Sequence, residues 1–348
     1  MTQTATARIV GPAPATEDVQ PVIVGLGHAG TNFHLRPLET HADHFLSRAG
    51  VRLLPPMVVD PRLSESRRLA DLAVERRGGA IVHISATAVL NTRILTQAYE
   101  LGYRRFLVEK PLCIGFRQIE EMEAIARADD IKIVVVTNWL FSRLTRLLAR
   151  RIAEHGGPDA VVTLEMHQHK PRFSRTRSRT VNPTAFEVEL PHMLGLTAHL
   201  LGPRLTLVSS ACEDLVVGET HRYEALGSVT LRLTANAGTP ATLLSDLRKP
   251  TRERWVDLRF RDGARLRGYF PCSSDDCFSH LATVDEDGGV TVIDRFEDNT
   301  VQQMLRETYD YFLGIGDRPV STPEFHLPMC RLLAQARATC GLKDPEPE

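Results

Sequence analysis

Four groups of residues in this sequence have the types and spacing to do chemistry. The first is Gly25-Leu26-Gly27-His28-Ala29-Gly30, directly after the apolar run 19–24. Glycines at such intervals permit a tight turn, a close backbone approach to a pyrophosphate, and tight seating of the helix that follows. The first N–H groups of that helix lack intrahelical partners and attract phosphate, so His28 and Ala29 would sit beside the same anion. The second is Asp60, which closes the short apolar run 57–60. A carboxylate there would accept both hydroxyls of an adenosine ribose and repel a 2′-phosphate, so NAD is expected over NADP. Arg62 stands nearby, and the interval from Gly25 to Asp60 is longer than usual. The third group is Val108-Glu109-Lys110-Pro111. Only five of the 42 basic residues are lysines, at 110, 132, 170, 249 and 343. An ammonium can titrate when buried whereas a guanidinium stays charged, which makes a lysine in such a motif informative here. The fourth is His192, a potential general base, with Glu187 and Glu189 just upstream.

These groups need elements to hold them. Apolar runs at 19–24, 57–60, 79–85, 106–109 and 131–136 alternate with helical patterns at 31–44, 69–76, 90–101 and 119–128. Strands alternating with helices imply a doubly wound parallel sheet, with its ligand crevice at the carboxyl ends of the strands. Both the glycine turn and Lys110 fall at such ends. Beyond residue 145 the rhythm changes. A helix at 144–155, a strand at 160–166 and a short helix at 190–201 precede a period-two pattern in which Val229, Leu231 and Leu233, then Val256, Leu258 and Phe260, alternate with polar neighbours. Asp262-Gly263 between such runs signals a hairpin. The fold class is therefore α/β: an N-terminal Rossmann-type parallel sheet and a C-terminal α+β domain with an open, mainly antiparallel sheet. Expected boundaries are a leader at 1–18, a dinucleotide-binding domain at 19–143, a substrate and oligomerisation domain at 144–326, and a C-terminal helix at 327–348 returning to the first domain. Helix 301–314 is also expected to pack back there.

The glycine turn, Glu109-Lys110-Pro111 and the segment from Glu189 through His192 to Gly202 together resemble the Gfo/Idh/MocA oxidoreductase family over residues 19–342. The resemblance implies an active-site Lys110, often with a cis bond before Pro111, and a sugar or cyclitol dehydrogenase. It also implies a histidine at 192 flanked by two aspartates. Val188 and Gly195 occupy those two positions here, so both acids are missing and Glu189 or Glu187 would have to supply a carboxylate. Asn138 matches an asparagine near the nicotinamide, and Thr87 and Glu109 fall on the cofactor side. The same architecture also hosts NAD-assisted glycosidases and non-catalytic NAD-binding regulators, and both remain alternatives to a dehydrogenase.

Two further features point to substrate. Trp139 offers a flat apolar face to a sugar ring, although core packing suits it equally. The stretch 170–179 carries Lys170, Arg172 and three more arginines with no acid. Guanidinium forks there suit a phosphorylated or nucleotide-linked sugar, while a solvated loop is the plainer reading. An aminoglycoside-type intermediate is a further expectation, against which this loop would act unless acids elsewhere face it.

Composition narrows the field. The chain has 348 residues, and 42 basic against 43 acidic side chains leave a net charge of −1, so no global field draws it to nucleic acid or a membrane surface. No apolar run is long enough to span a bilayer. The six scattered cysteines fit reduced thiols in a cytoplasm better than a disulfide framework. His41 with His44, and His167 with His169, lack a matched third ligand, so no metal is expected. A homodimer or homotetramer is expected, formed over the exposed sheet face.

Overall fold

The computed structural model describes residues 17–40, 51–63, 68–177, 183–219, 221–236, 238–273 and 276–345. Five short strands form a wholly parallel sheet: β2 (Pro21–Val24), β4 (Met57–Val59), β5 (Ile81–Ile84), β6 (Arg105–Glu109) and β7 (Lys132–Val136), in the order β4-β2-β5-β6-β7. Strand order reverses between β2 and β5, and a crevice opens at such a reversal beyond the carboxyl ends of the strands. Val22, Val82, Phe106 and Ile133 point to one face. There they pack against α2 (Asn91–Glu100), α3 (Phe116–Ala126) and the helix α9 (Pro323–Thr339). Ile23, Ile81, Leu107 and Val134 point to the other face, under α1 (Arg36–Thr40) and α8 (Thr300–Leu313). Both faces are covered, which is why these strands read as continuous apolar runs. Helix α8, within the expected segment 144–326, thus contributes to the core of the parallel sheet.

Three local expectations are corrected. Residues 69–76 form no α-helix; the chain makes 3-10 turns at Leu69–Asp71 and Arg77–Gly79 instead. The glycine turn opens into a π-helical stretch, Gly30–Leu35, before α1. The last residues of the expected leader belong to β1 (Glu17–Val19), which pairs in parallel with β3 (Val51–Leu53). The helical expectation over 41–44, with His41 and His44, lies outside the described residues.

The second sheet has eight strands: β8 (Val161–His169), β9 (Leu205–Val217), β10 (His221–Ala235), β11 (Pro240–Asp246), β12 (Glu253–Phe260), β13 (Arg265–Tyr269), β14 (Phe278–Val284) and β15 (Val290–Glu297). Their order is β15-β14-β13-β12-β8-β11-β10-β9, antiparallel except between β8 and β11. Asp262-Gly263 makes the hairpin between β12 and β13, with Gly263 at φ +89°. The alternating apolar residues, among them Val229, Leu231, Val256 and Leu258, form one core with α4 (Arg143–Glu154) and α7 (Leu190–Leu201). All six cysteines are free thiols. No helix among the described residues is long and apolar enough to cross a membrane.

Candidate active site

Each glycine of the first turn has a distinct steric reason. Gly25 sits at φ +96°, and a Cβ there would press to 2.9 Å from the backbone of Ser85 and Ala86. Gly30 is tighter still, since its Cβ would stand 2.0 Å from the Gly25 carbonyl oxygen. Only hydrogens at both positions let the helical turn seat on the ends of β2 and β5. Gly27 differs, with nothing within 4 Å of an added Cβ. It borders open space, as a backbone cradle for a large anion should. His28 is exposed beside Phe33 and Asn32, and Ala29 precedes the π-helical stretch.

Asp60 returns to this turn despite the long interval, because its Oδ2 accepts from the Leu26 N–H at 2.5 Å. The exposed Arg62 grips the same carboxylate through Nε at 2.8 Å and Nη2 at 2.6 Å. The Arg62 fork, aided by the N–H groups of Leu26 and Arg62, outweighs burial and holds the Asp60 carboxyl well below the usual range. Thr87 is exposed just beyond β5. Asn138 lies beyond β7 and donates to Thr300 Oγ1 at 2.7 Å, at the start of α8.

Lys110 leaves the end of β6 through a cis Lys110–Pro111 bond. Its ammonium donates to the carbonyls of Glu187 at 3.1 Å and Val188 at 2.5 Å. These carbonyls end the short helix α6 (Ala185–Val188), where oxygens lack intrahelical partners. Lys110 therefore ties the end of β6 to the point where α6 gives way to α7. Glu187 is committed elsewhere, to the Thr184 N–H and hydroxyl and to Arg337 of α9. Glu189, 4% exposed, is the carboxylate of this junction. It accepts from Gln168 Nε2 and stands 3.4 Å from Lys170 Nζ. Burial opposes its ionisation, yet Lys170, Arg254 and Lys110 outweigh burial and hold its pKa at about 2.

His192 lies one turn into α7, after Pro191, and its ring is buried beside Trp139. Burial, together with Lys110, Arg254 and Lys170, pushes its pKa well below 6.5 against the opposing pull of Glu189. The imidazole is therefore neutral at pH 7. Its Nδ1 is buried with no hydrogen-bond partner. A buried ring nitrogen left unpaired costs about 1–3 kcal/mol, and a ligand hydroxyl would remove that cost. Neutral imidazole, ionised carboxylate and ammonium thus share one junction at the carboxyl end of the parallel sheet, the end that also carries the glycine turn. Such a set can hold a dinucleotide at the glycine turn and take a proton from a bound alcohol.

Among solved structures, KijD10, a 3-ketoreductase from Actinomadura kijaniata in complex with TDP-benzene and NADP, is similar at 16% identity, covering 93% of this chain and 98% of its own, with a TM-score of 0.70. UDP-N-acetylglucosamine 3-dehydrogenase GnnA from Acidithiobacillus ferrooxidans is similar at 14% identity, covering 92% and 97%, with a TM-score of 0.68. The likeness is one of fold. No family model and no curated protein matches the sequence.

Two expected substrate contacts sit differently from the sequence reading. Trp139 is 3% exposed and lies parallel to Phe270 at 4.6 Å between ring centroids and to His192 at 5.5 Å. It backs the His192 ring rather than offering a face to a sugar, because its ring is already covered by protein. Arg172 is buried, with its backbone N–H on the Leu247 carbonyl, and leads into α5 (Phe173–Arg177) rather than a solvated loop. Two residues went unnoticed in the sequence, Gln168 and Arg254, which are register partners on β8 and β12. The signal existed. Gln168 continues the covered-face series Leu164, Met166, and Arg254 begins the series Val256, Leu258, Phe260. A polar residue at a covered position needs a partner: Gln168 donates to the Glu189 carboxylate, while Arg254 donates to the Pro271 carbonyl at 2.7 Å and acts on Glu189 through its charge. Among the described residues, no three of His, Cys, Asp or Glu cluster as a metal site would require.

Proposed function

We propose that the chain is an NAD-dependent dehydrogenase oxidising a secondary hydroxyl of a sugar, cyclitol or glycoside to a ketone. The observation that carries this reading is the neutral His192, with its unpaired Nδ1, in the field of Lys110 and the ionised Glu189 beyond the sheet that bears the glycine turn. When bound, the nicotinamide would supply the hydride acceptor. Gly25, Gly27 and Gly30 would cradle its pyrophosphate, Asp60 would take the adenosine ribose hydroxyls, and Asn138, Thr87 and Glu109 would border the remainder. His192 accepts the hydroxyl proton as the carbinol hydride departs, and Glu189 steadies the imidazolium that results. Lys110 orients the hydroxyl and offsets the charge growing on its oxygen. The names of KijD10 and GnnA, a 3-ketoreductase bound to a TDP compound and a UDP-sugar dehydrogenase, support a sugar substrate. Three cations, Lys110, Lys170 and Arg254, act on the single carboxylate Glu189. That balance favours an anionic, nucleotide-linked sugar over a polycationic aminoglycoside.

The test is NADH or NADPH formation by purified protein on inositols, free hexoses, nucleotide sugars and aminoglycosides, with NAD and with NADP respectively. One class should respond, and His192→Ala should lower its turnover by about 10²–10⁴-fold while NADH binding persists. Unchanged turnover in the variant refutes the assignment of the base. Release of free sugar without net NADH would instead mark an NAD-assisted glycosidase, and tight NAD binding without turnover a regulator.

A further inference from the structure

The parallel sheet also carries ionisable groups that this reaction does not use. Residues two apart on a strand share a face, so His83 lies with Ile81 on β5 and Glu109 with Leu107 on β6, on the side covered by α8. His34 enters the same layer from the π-helical stretch and Tyr309 from α8. The four are bonded end to end. Glu109 Oε1 lies 3.1 Å from His34 Nε2, His34 Nδ1 lies 2.8 Å from His83 Nδ1, and His83 Nε2 lies 2.8 Å from the Tyr309 hydroxyl. Both histidines are 0% exposed and Tyr309 is 2%. A carboxylate, two imidazoles and a phenol inside an apolar layer are costly unless their polar atoms pair, and this series pairs them.

We propose that Tyr309, His83 and His34 are positioning residues, a relay whose fixed proton order orients the Glu109 carboxylate next to Lys110. The order follows from the Glu109 end. A carboxylate only accepts, so His34 Nε2 carries the hydrogen. With one proton on that ring, His34 Nδ1 accepts, and His83 Nδ1 must donate. His83 Nε2 then accepts from the Tyr309 hydroxyl. Burial pushes the His83 pKa well down and keeps its ring singly protonated; burial pushes the Tyr309 pKa up and keeps its proton in place. The Tyr309 end lies inside the core, so the relay works by orientation rather than by exporting protons. It links the helix that grows from the glycine turn to the strand that ends in Lys110.

The first test is the imidazole ¹⁵N spectrum of the full-length protein, with the two rings assigned through His34→Gln and His83→Gln. His34 should be the Nε2–H tautomer and His83 the Nδ1–H tautomer. Tyr309→Phe removes one oxygen and should shift the signals of His34 as well, although Tyr309 bonds only His83 of the two. A cationic His34, an Nε2–H His83, or a His34 indifferent to Tyr309→Phe overturns the relay. The second test rests on the proposed nicotinamide crevice and measures NADH affinity by fluorescence. Tyr309→Phe and Glu109→Gln should each weaken binding by about 3- to 10-fold, the worth of one hydrogen bond. The double variant should be no weaker than the poorer single one, because both cut the same series. Additive losses or unchanged affinity overturn the positioning role. Wild-type protein that binds no NADH would sink the cofactor reading, while the tautomers would still judge the relay.

Discussion

Replacing Glu189 with Gln keeps the shape of the side chain and removes its charge, which isolates the electrostatics of the junction. The carboxyl titrates at about 2 in the folded chain against an ordinary 4.5, so folding favours its ionised form. A depressed folded pKa gives stability that is complete above the unfolded pKa and is lost as pH falls through the folded one. Full linkage is worth about 3 kcal/mol at pH 7, about 2 kcal/mol at pH 3.5, and nearly nothing at pH 2. The side chain is almost wholly buried, so solvent screens little of this. Other carboxylates titrate over the same window, but they do so in both proteins and cancel in the difference. The assay is urea unfolding of wild type and Glu189→Gln at a series of pH values. The gap between them should be about 3 kcal/mol at neutrality and shrink steadily below pH 4.5. A gap that stays constant from pH 7 to pH 3.5 would show that Glu189 contributes packing and hydrogen bonds but no charge stabilisation. The account of Lys170, Arg254 and Lys110 as its counter-ions would then fail.

Three more outcomes follow from the same geometry. Because the His192 pKa is pushed well below 6.5, kcat/KM should hold steady as pH falls from 8 to 6.5; a His192-dependent loss of activity already above 6.5 would contradict the desolvated base. Asp60→Ala frees Arg62 and removes a like charge from any 2′-phosphate. The preference for NAD over NADP should therefore fall by about five- to tenfold, the worth of roughly 1 kcal/mol, and an unaltered ratio of kcat/KM values would show that Asp60 does not read the ribose. The glycines separate by steric role. Gly30→Ala should lower stability by about 1–3 kcal/mol through its clash with the Gly25 carbonyl. Gly27→Ala should leave stability within about 0.5 kcal/mol while weakening NADH binding, and equal thermal shifts in the two variants would refute this division.

The parallel sheet was legible because burial on both faces writes itself as apolar runs, and Gly25, Lys110 and Asn138 fall where those runs stop. The crossover at 69–76 misled because Leu69, Leu72 and Val74 suggest a helical face, while the chain uses them in turns with only Leu72 fully buried. The π-helical opening was illegible for a different reason. Its hydrogen-bond register follows from seating Gly30 against Gly25 and drawing His34 toward Glu109, both contacts between residues distant along the chain or hidden from periodicity. Trp139 shows the limit of residue type as a guide: an aromatic after a strand suits a sugar or a core equally, and only the parallel Phe270 ring decides between them.

The two missing acids carry the most consequence for specificity. Where the resemblance leads one to expect an aspartate at 188, the chain places a valine whose backbone carbonyl receives the Lys110 ammonium. Where it leads one to expect an aspartate at 195 stands a glycine, at which an added Cβ would meet Thr137, Leu140 and His326 at ordinary contact distance. The carboxylate is supplied one residue later, by Glu189, at the N-terminal end of α7 where the helix favours negative charge. One acid therefore does duty for two, while Lys110, Lys170 and Arg254 all remain. Two aspartates would have cancelled most of that positive charge and suited a neutral polyol. On the proposed reading, a single Glu189 amid Lys110, Lys170 and Arg254 would favour a sugar that carries its own anion.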